Sequence, residues 1–279
     1  MDVSLFDYWP APAKLNLMLR IVGRRADGYH LLQTVFQLLD IGDRVGLKVR
    51  PDGRICRVNE IPGVAEEHDL VVRAAKLLQR NCATALGVDI HLDKRLPMGA
   101  GLGGGSSDAA TTLVALNRLW GGRNSIDQLA DIGLTLGADV PVFIRGRSSW
   151  GEGIGEKLEP LELPCPWYLI LVPSCHVSTA EIFTDPDLTR NSPRIRIRDF
   201  LAGSVQNDCL SVVCRRYPQV REAMQWLGRY SLPRLTGTGA AVFAAFEDET
   251  RVRQVVSEVP AGYRSFIARG LNRSPLEFQ

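Results

Sequence analysis

Residues 97–110, PMGAGLGGGSSDAA, constrain what this chain can fold into more than any other stretch. Pro97 and Met98 lead into Gly99, Ala100, Gly101, Leu102, Gly103, Gly104 and Gly105, and Ser106, Ser107 and Asp108 follow directly. Glycine permits positive φ and lets backbone approach a ligand with no Cβ in the way. Beyond it, Leu113, Leu116 and Trp120 recur at helical spacing, which predicts a helix over 109–120. A glycine loop feeding a helix N-terminus offers unpaired N–H groups and the positive end of the helix dipole to an anion. A flexible turn before a capped helix has the same appearance, so the loop alone leaves both readings open.

Two familiar phosphate loops do not fit. A Walker A loop needs Lys and then Ser or Thr after its last glycine, where this chain has Gly105-Ser106. Gly99-Ala-Gly-Leu-Gly-Gly104 matches G-x-G-x-x-G behind a strand-like stretch at 88–92, but residues 94–97 intervene between strand and loop. A dinucleotide fold enters its helix at once and places an acidic residue about twenty positions on, where this chain reads Trp120-Gly-Gly-Arg.

The chain has 279 residues, enough for one or two domains with a sizeable core. Its 33 basic and 31 acidic residues nearly cancel, which argues against nucleic acid or an anionic membrane as partner. No apolar stretch is long enough to cross a bilayer, and the first residues lack the pattern of a signal peptide. Six scattered cysteines without a C-x-x-C pair read as reduced packing residues, and a cytoplasmic location is expected. The four histidines lack zinc-binding spacing.

Along the chain, residues 13–21 alternate, with Leu15, Leu17, Leu19 and Ile21 on one face and Lys14, Asn16, Met18 and Arg20 on the other. Arg20 is expected on a solvated face; Lys14 and Asn16 are candidates for a lined cleft, with a solvated face as the alternative. Gly23–Gly28 is a turn, after which Tyr29-His30 offers one ring to stack and one to hydrogen-bond, or plain half-buried packing. Strands are predicted over 31–39, 44–50 and 55–58, with a turn at Ile41-Gly-Asp43, and a helix over 68–83 with Asp69 as its N-cap. A further helix spans 125–136. Asp139 then stands among apolar and small residues just before Val140-Pro141, and Pro141 disfavours helical geometry at Val140. A carboxylate so placed is costly unless paired or used, and a catalytic role is favoured over a cap. Residues 151–156 read as a loop, and three prolines within 158–166 mark a domain junction. Residues 178–183 form a short capped helix, and Arg194, Arg196 and Arg198 a basic strand face. The segment 235–246, LTGTGAAVFAAF, is a second glycine turn entering an apolar strand, followed by a helix over 252–259 and a strand over 263–268.

With PAKLN at 12–16, the 97–107 loop, GADVPVF at 137–143 and LTGTGA at 235–240, the chain resembles the GHMP kinases over nearly its whole length, 10–275. GRRADGYHLLQTVFQLLDIGD at 23–43 and KRLPMGAGLGGGSSDAA at 94–110 narrow the resemblance to the branch that acts on a cytidyl-linked methylerythritol in non-mevalonate isoprenoid biosynthesis. The resemblance implies an α+β, two-domain protein, with an ATP-binding half at 1–160 and a ferredoxin-like half at 161–279 meeting at a cleft. It implies transfer of the γ-phosphoryl group of ATP, with Mg2+, to the substrate's 2-hydroxyl. By position, Lys14 and Asp139 match the catalytic pair, and the loop from Pro97 to Ser107 the triphosphate cradle. Tyr29, His30, Thr179 and Phe183 match substrate-binding positions, with Tyr29 and Phe183 expected to sandwich cytosine and His30 to read its edge; Asn16 lies near the sugar alcohol. Base stacking of this kind is worth about 1–3 kcal/mol.

Two positions depart from the family. Asp69 stands where relatives commonly carry Asn near adenine, and a carboxylate only accepts hydrogen bonds. Asp108 replaces an Asn and could hold magnesium through water or complement the helix dipole. Alternatives are another GHMP kinase, with a mevalonate-like or homoserine-like substrate that needs no base pocket, and a non-catalytic RNA-binding module using the 194–198 arginines, whose affinity would fall steeply with salt.

Overall fold

The computed structural model describes residues 5–278. The first part of the chain forms β1 (Asp7–Arg24), β2 (His30–Arg50), β3 (Ile55–Arg57), α1 (Leu70–Asn81), β4 (Gly87–Asp93), α2 (Gly104–Leu119), α3 (Ile126–Leu134), α4 (Val140–Arg145), β5 (Ser149–Gly153) and β6 (Lys157–Pro160). The second part forms β7 (Trp167–Pro173), α5 (Thr179–Thr184), α6 (Ile197–Leu201), α7 (Leu210–Arg216), α8 (Pro218–Leu227), β8 (Arg234–Leu235), β9 (Val242–Phe246), α9 (Glu249–Val256) and β10 (Tyr263–Leu271). The strands join in the order β3-β4-β2-β10-β7-β9-β8, with β1 and β5 also on β2 and β6 on β5. No helix among the described residues is long and apolar enough to cross a membrane.

β1 and β2 carry the architecture. They pair antiparallel from Asp7↔Leu47 to Arg24↔His30, and the ladder runs through Pro12↔Gly42 and Ala11↔Asp43. That pairing keeps residues 41–43 extended, so β2 is one strand where the sequence suggests two and a turn. β1 is buried on both sides, unlike the one-sided strand that its alternation predicts. Irregularities between Asn16 and Met18 and between Ile21 and Gly23 shift the phase. Leu15, Leu17 and Met18 therefore share one core with Tyr168 and Phe243, whereas Leu19 and Ile21 enter another with Leu171 and Val242. Arg20 is buried too, donating to Pro193 O and Gln206 Oε1, and is not solvated.

A third core lies between the β2–β4 face and helices α1, α2 and α4, and Leu276 from the end of the chain packs into it. β10 closes the circuit. It pairs with β7 along its length and touches β2 at Gly270↔Leu39 and Leu271↔Leu38. Each part of the chain thus lends residues to the other's core.

Several local readings are corrected. Residues 149–160 form a hairpin, β5–β6, where a loop is expected over 151–156. Val140 starts α4 despite the following Pro141, because proline at the second helical position loses no intrahelical bond. The arginine stripe does not exist: Arg196 is the N-cap of α6, and Arg194 and Arg198 pair with Glu152 and Asp199. Helices α7 and α8 cover residues for which no element is predicted. Asp69, Ser125 and Ser178 do cap their helices, each accepting from a first-turn amide.

Candidate active site

The glycine loop enters its helix earlier than the apolar spacing suggests. Gly103, at φ 76°, is the N-cap, and α2 starts at Gly104 rather than at Ala109. A Cβ on Gly103 would lie 2.8 Å from the Phe143 ring and 3.0 Å from Lys14 Cγ, so packing as well as φ demands glycine. Gly101, at φ 78°, faces the second glycine turn; a Cβ there would meet Thr236 O at 2.5 Å. Thr236 Oγ1 donates to Gly101 O (3.0 Å) and Ala241 N donates to Ala100 O (3.1 Å), so the two glycine segments brace each other. Pro97, Ser106 and the residues between them leave Met98, Gly99 and Gly105 exposed, while Ala100, Leu102 and Ser107 are buried.

Lys14 sits beneath this loop. Its backbone N donates to Leu102 O, and its ammonium, 3% exposed, reaches three oxygens: Asn16 Oδ1 at 2.6 Å, Gly101 O at 3.1 Å and Asp139 Oδ2 at 3.2 Å. Asp139 caps α4 without using its side chain for a cap bond and keeps its carboxylate about one-third exposed. A buried amine holding a partly open carboxylate is the arrangement needed to aim that carboxylate at a hydroxyl. Asn16 is fixed in turn, because its Nδ2 donates to Thr34 Oγ1, which donates onward to Met18 O. That orders the amide so that its oxygen, not its nitrogen, faces Lys14.

The neighbouring acids lie below the loop. Lys94 is shared by Asp43 and Asp108, and Asp43 also accepts from Arg95 N and Leu96 N. One ammonium cannot neutralise two buried carboxylates. Asp43 has three donors. Asp108 has one donor and a buried Oδ1 with no partner, and burial pushes it up to about 8, Asp43 adding to the rise and Lys94 opposing it. Burial opposes the charge on Lys94, but the two carboxylates outweigh it and raise its pKa. Asp108 therefore belongs to the buried Lys94 cluster. Asp69 is likewise engaged: Oδ1 accepts from Val71 N and Oδ2 pairs with Arg57 at 2.5 Å, both side chains being buried.

At the other end of β1–β2, His30 stacks on Phe183 (4.9 Å, 25°). Arg190 Nε donates to His30 Nε2 at 3.2 Å, which leaves the ring proton on Nδ1 as a donor. Burial lowers the His30 pKa, with Arg190 and Arg24 adding to the effect, so the ring is neutral at neutral pH. Phe183 thus faces His30; Tyr29 is 60% exposed and no ring pairs with it among the described residues. Thr179, exposed at the start of α5, shares a hydrogen bond with Thr238 of the second glycine turn at 2.9 Å. Arg190, Thr34, Thr236, Lys94 and Arg57 all escape the sequence reading, since each acts through a partner far away in the chain.

The glycine loop, α2, α4 and the second glycine turn are where known families can be matched. Residues 69–147 match the GHMP kinases N terminal domain and residues 191–265 the GHMP kinases C terminal domain. The chain belongs to the GHMP kinases. It is 54% identical over 271 residues to the 4-diphosphocytidyl-2-C-methyl-D-erythritol kinase of Halorhodospira halophila, covering 96% of this chain and 94% of that protein. The kinase of that name from Ectopseudomonas mendocina is 56% identical over 267 residues, covering 96% and 92%. A crystal structure of 4-(cytidine 5'-diphospho)-2C-methyl-D-erythritol kinase superposes with a TM-score of 0.81 at 32% identity, covering 95% of this chain and 99% of that one. Within the GHMP kinases the chain falls in this family, and it is an ATP-dependent small-molecule kinase.

Proposed function

We propose that this kinase transfers the γ-phosphoryl group of ATP to the 2-hydroxyl of 4-diphosphocytidyl-2-C-methyl-D-erythritol. The observation that carries the reading is the Lys14–Asp139 pair, held 3.2 Å apart by an ammonium that also grips the glycine loop at Gly101 O. Asp139 accepts the hydroxyl proton while the new O–P bond forms and the β–γ bridging bond breaks, its electron pair leaving with ADP. Lys14 balances charge on the reacting groups. Transfer of this kind has a loose transition state, so positioning and charge compensation supply most of the acceleration.

The amides of 97–107 and the N-terminus of α2 receive the triphosphate, without a Walker lysine. A magnesium ion bound with the nucleotide would supply charge neutralisation for the phosphates. The Ser106 and Ser107 hydroxyls and the open Asp139 carboxylate are the oxygens that fit it; Ser107 Oγ is buried without a partner. Among the described residues no three His, Cys, Asp or Glu side chains cluster as a ready-made metal site, which suits an ion held mainly by phosphates. His30 Nδ1–H faces the base, Tyr29 and Phe183 supply rings, Thr179 and Asn16 contact the rest of the substrate, and Asp69 accepts from the adenine amine. Stacking of cytosine requires it to enter beside the His30–Phe183 pair. We place the reaction in the cytoplasm with small-molecule partners only; the six cysteines are all unpaired.

ATP turnover with the cytidyl substrate, set against mevalonate and homoserine, tests this reading. Turnover confined to the cytidyl compound is the expected result. Faster turnover of either control would assign the chain to the other GHMP substrate classes.

A further inference from the structure

A cleft of about 630 Å³ opens at the edge of the second part of the chain, between β8 and the segment joining α6 to α7. Ser204, Gln206, Asn207, Asp208, Ser211 and Arg234 are among its lining residues. Most of these polar groups are already spoken for. Gln206 Oε1 accepts from Arg20, Asp208 Oδ2 accepts from Ile21 N at 2.7 Å, and Asn207 Nδ2 donates to Leu235 O and Gly237 O.

Arg234 is the exception. It sits opposite Phe243 in the β8–β9 ladder with its guanidinium 4.9 Å from that ring's centroid. Its Nε is shielded from solvent and has no hydrogen-bond partner. No carboxylate pairs with it among the described residues, and burial lowers its pKa with only the Tyr168 hydroxyl opposing. The other shielded arginines are satisfied: Arg57 by Asp69 and Val64 O, Arg20 by Pro193 O and Gln206, Arg190 by Phe183 O and Asp185 O. A guanidinium remains charged in proteins, and its planar fork matches the oxygens of a phosphate. Ring stacking recovers part of the desolvation cost and leaves the N–H donors without an anion.

We propose that this cleft is a second anion site, separate from the glycine loop, that takes a small phosphate-class oxyanion on Arg234 with the Ser204 and Ser211 hydroxyls as further donors. Asn207 lines the same cleft and fastens Leu235 and Gly237, the residues flanking Thr236, which braces Gly101. The cleft is thus linked to the glycine loop by a chain of hydrogen bonds through Asn207 and Thr236.

Calorimetric titration of the whole protein with inorganic phosphate, inorganic diphosphate and glycerol phosphate, its triphosphate site filled by a non-hydrolysable ATP analogue, tests the proposal and separates free anions from phosphate esters. Saturable binding of at least one probe, weakened tenfold or more in Arg234→Met and partly kept in Arg234→Lys, is expected. Ser211→Glu, which puts a carboxylate at an exposed position of the cleft, should weaken binding likewise and serves if Arg234→Met does not fold. No binding to the analogue-filled protein, or equal affinity in these variants, overturns the site.

Discussion

The two ends of the active site are built by opposite means. At the phosphate end, Lys14, Asn16, Thr34 and Thr236 are buried and bonded to one another and to two glycine segments. At the base end, Tyr29 is exposed, and His30 and Phe183 stack on each other and are tied by Arg190, which comes from a segment, 185–196, with no regular structure. The first is a product of the fold; the second is a handful of side chains set on its rim. Damage to the first should appear in turnover or in folding, and damage to the second in substrate affinity.

The sharpest break is Asp139→Asn. Loss of a positioned proton acceptor costs about 10²–10⁴-fold in rate; the buried Lys14 ammonium also loses its carboxylate partner, so the melting temperature should fall somewhat, while affinity for an ATP analogue without magnesium should barely change. Single-turnover kinetics beside ATP-analogue titration checks this; activity within fivefold of normal would remove Asp139 from the chemistry. Next is Asp69→Asn, which leaves the buried Arg57 guanidinium without its anion and should cost about 3 kcal/mol in denaturant unfolding. An unchanged KM for ATP would make Asp69 a cap and ion-pair partner only, whereas a raised KM with unchanged stability would put it on adenine.

Gly101→Ala sets a Cβ against Thr236 O at a left-handed position. Backbone strain alone is about 1–2 kcal/mol, and the KM for ATP should rise more than that for the cytidyl substrate. Arg190→Leu should do the reverse, raising KM for the cytidyl substrate several-fold with kcat nearly kept, since it frees the His30 tautomer. Equal effects of these two variants on both substrates would erase the distinction between the ends.

The smallest effect is a slope. Asp108 is pushed up to about 8, so between about pH 4 and 8 the folded protein keeps a proton that the unfolded chain has released. Stability from this group must then fall as pH rises through that window. Asp108→Asn should flatten the fall of melting temperature from pH 5 to pH 8; an unaltered slope would mean that Asp108 is ionised in the fold.

The phosphate end was the more legible in sequence for the same reason that it is the more rigid. Positive φ and close approach at Gly101 and Gly103 demand glycine, and so leave a mark in the sequence. Asp139 stands out as an acid among apolar and small residues and Lys14 as a cleft candidate on β1, although their pairing depends on the whole fold between them. Alternation along β1 gave the strand but not its phase, because a bulge hands Leu19 and Ile21 to a different core from Leu15. Asp108 reads in sequence as a magnesium neighbour or a complement to the helix dipole, since nothing local reveals that it shares Lys94 with Asp43. Arg190 lies in a stretch with no periodicity, and its role rests wholly on where His30 falls.

The seam between β10 and β2 bears on the position of Lys14. It is made at Leu38 and Leu39, and Leu38 is the residue that faces Lys14 across the β1–β2 ladder. A sheet stitched there joins the last strand to the stretch of backbone directly opposite Lys14. A substitution that loosens this two-residue contact would thus reach Lys14 through a single step of strand pairing.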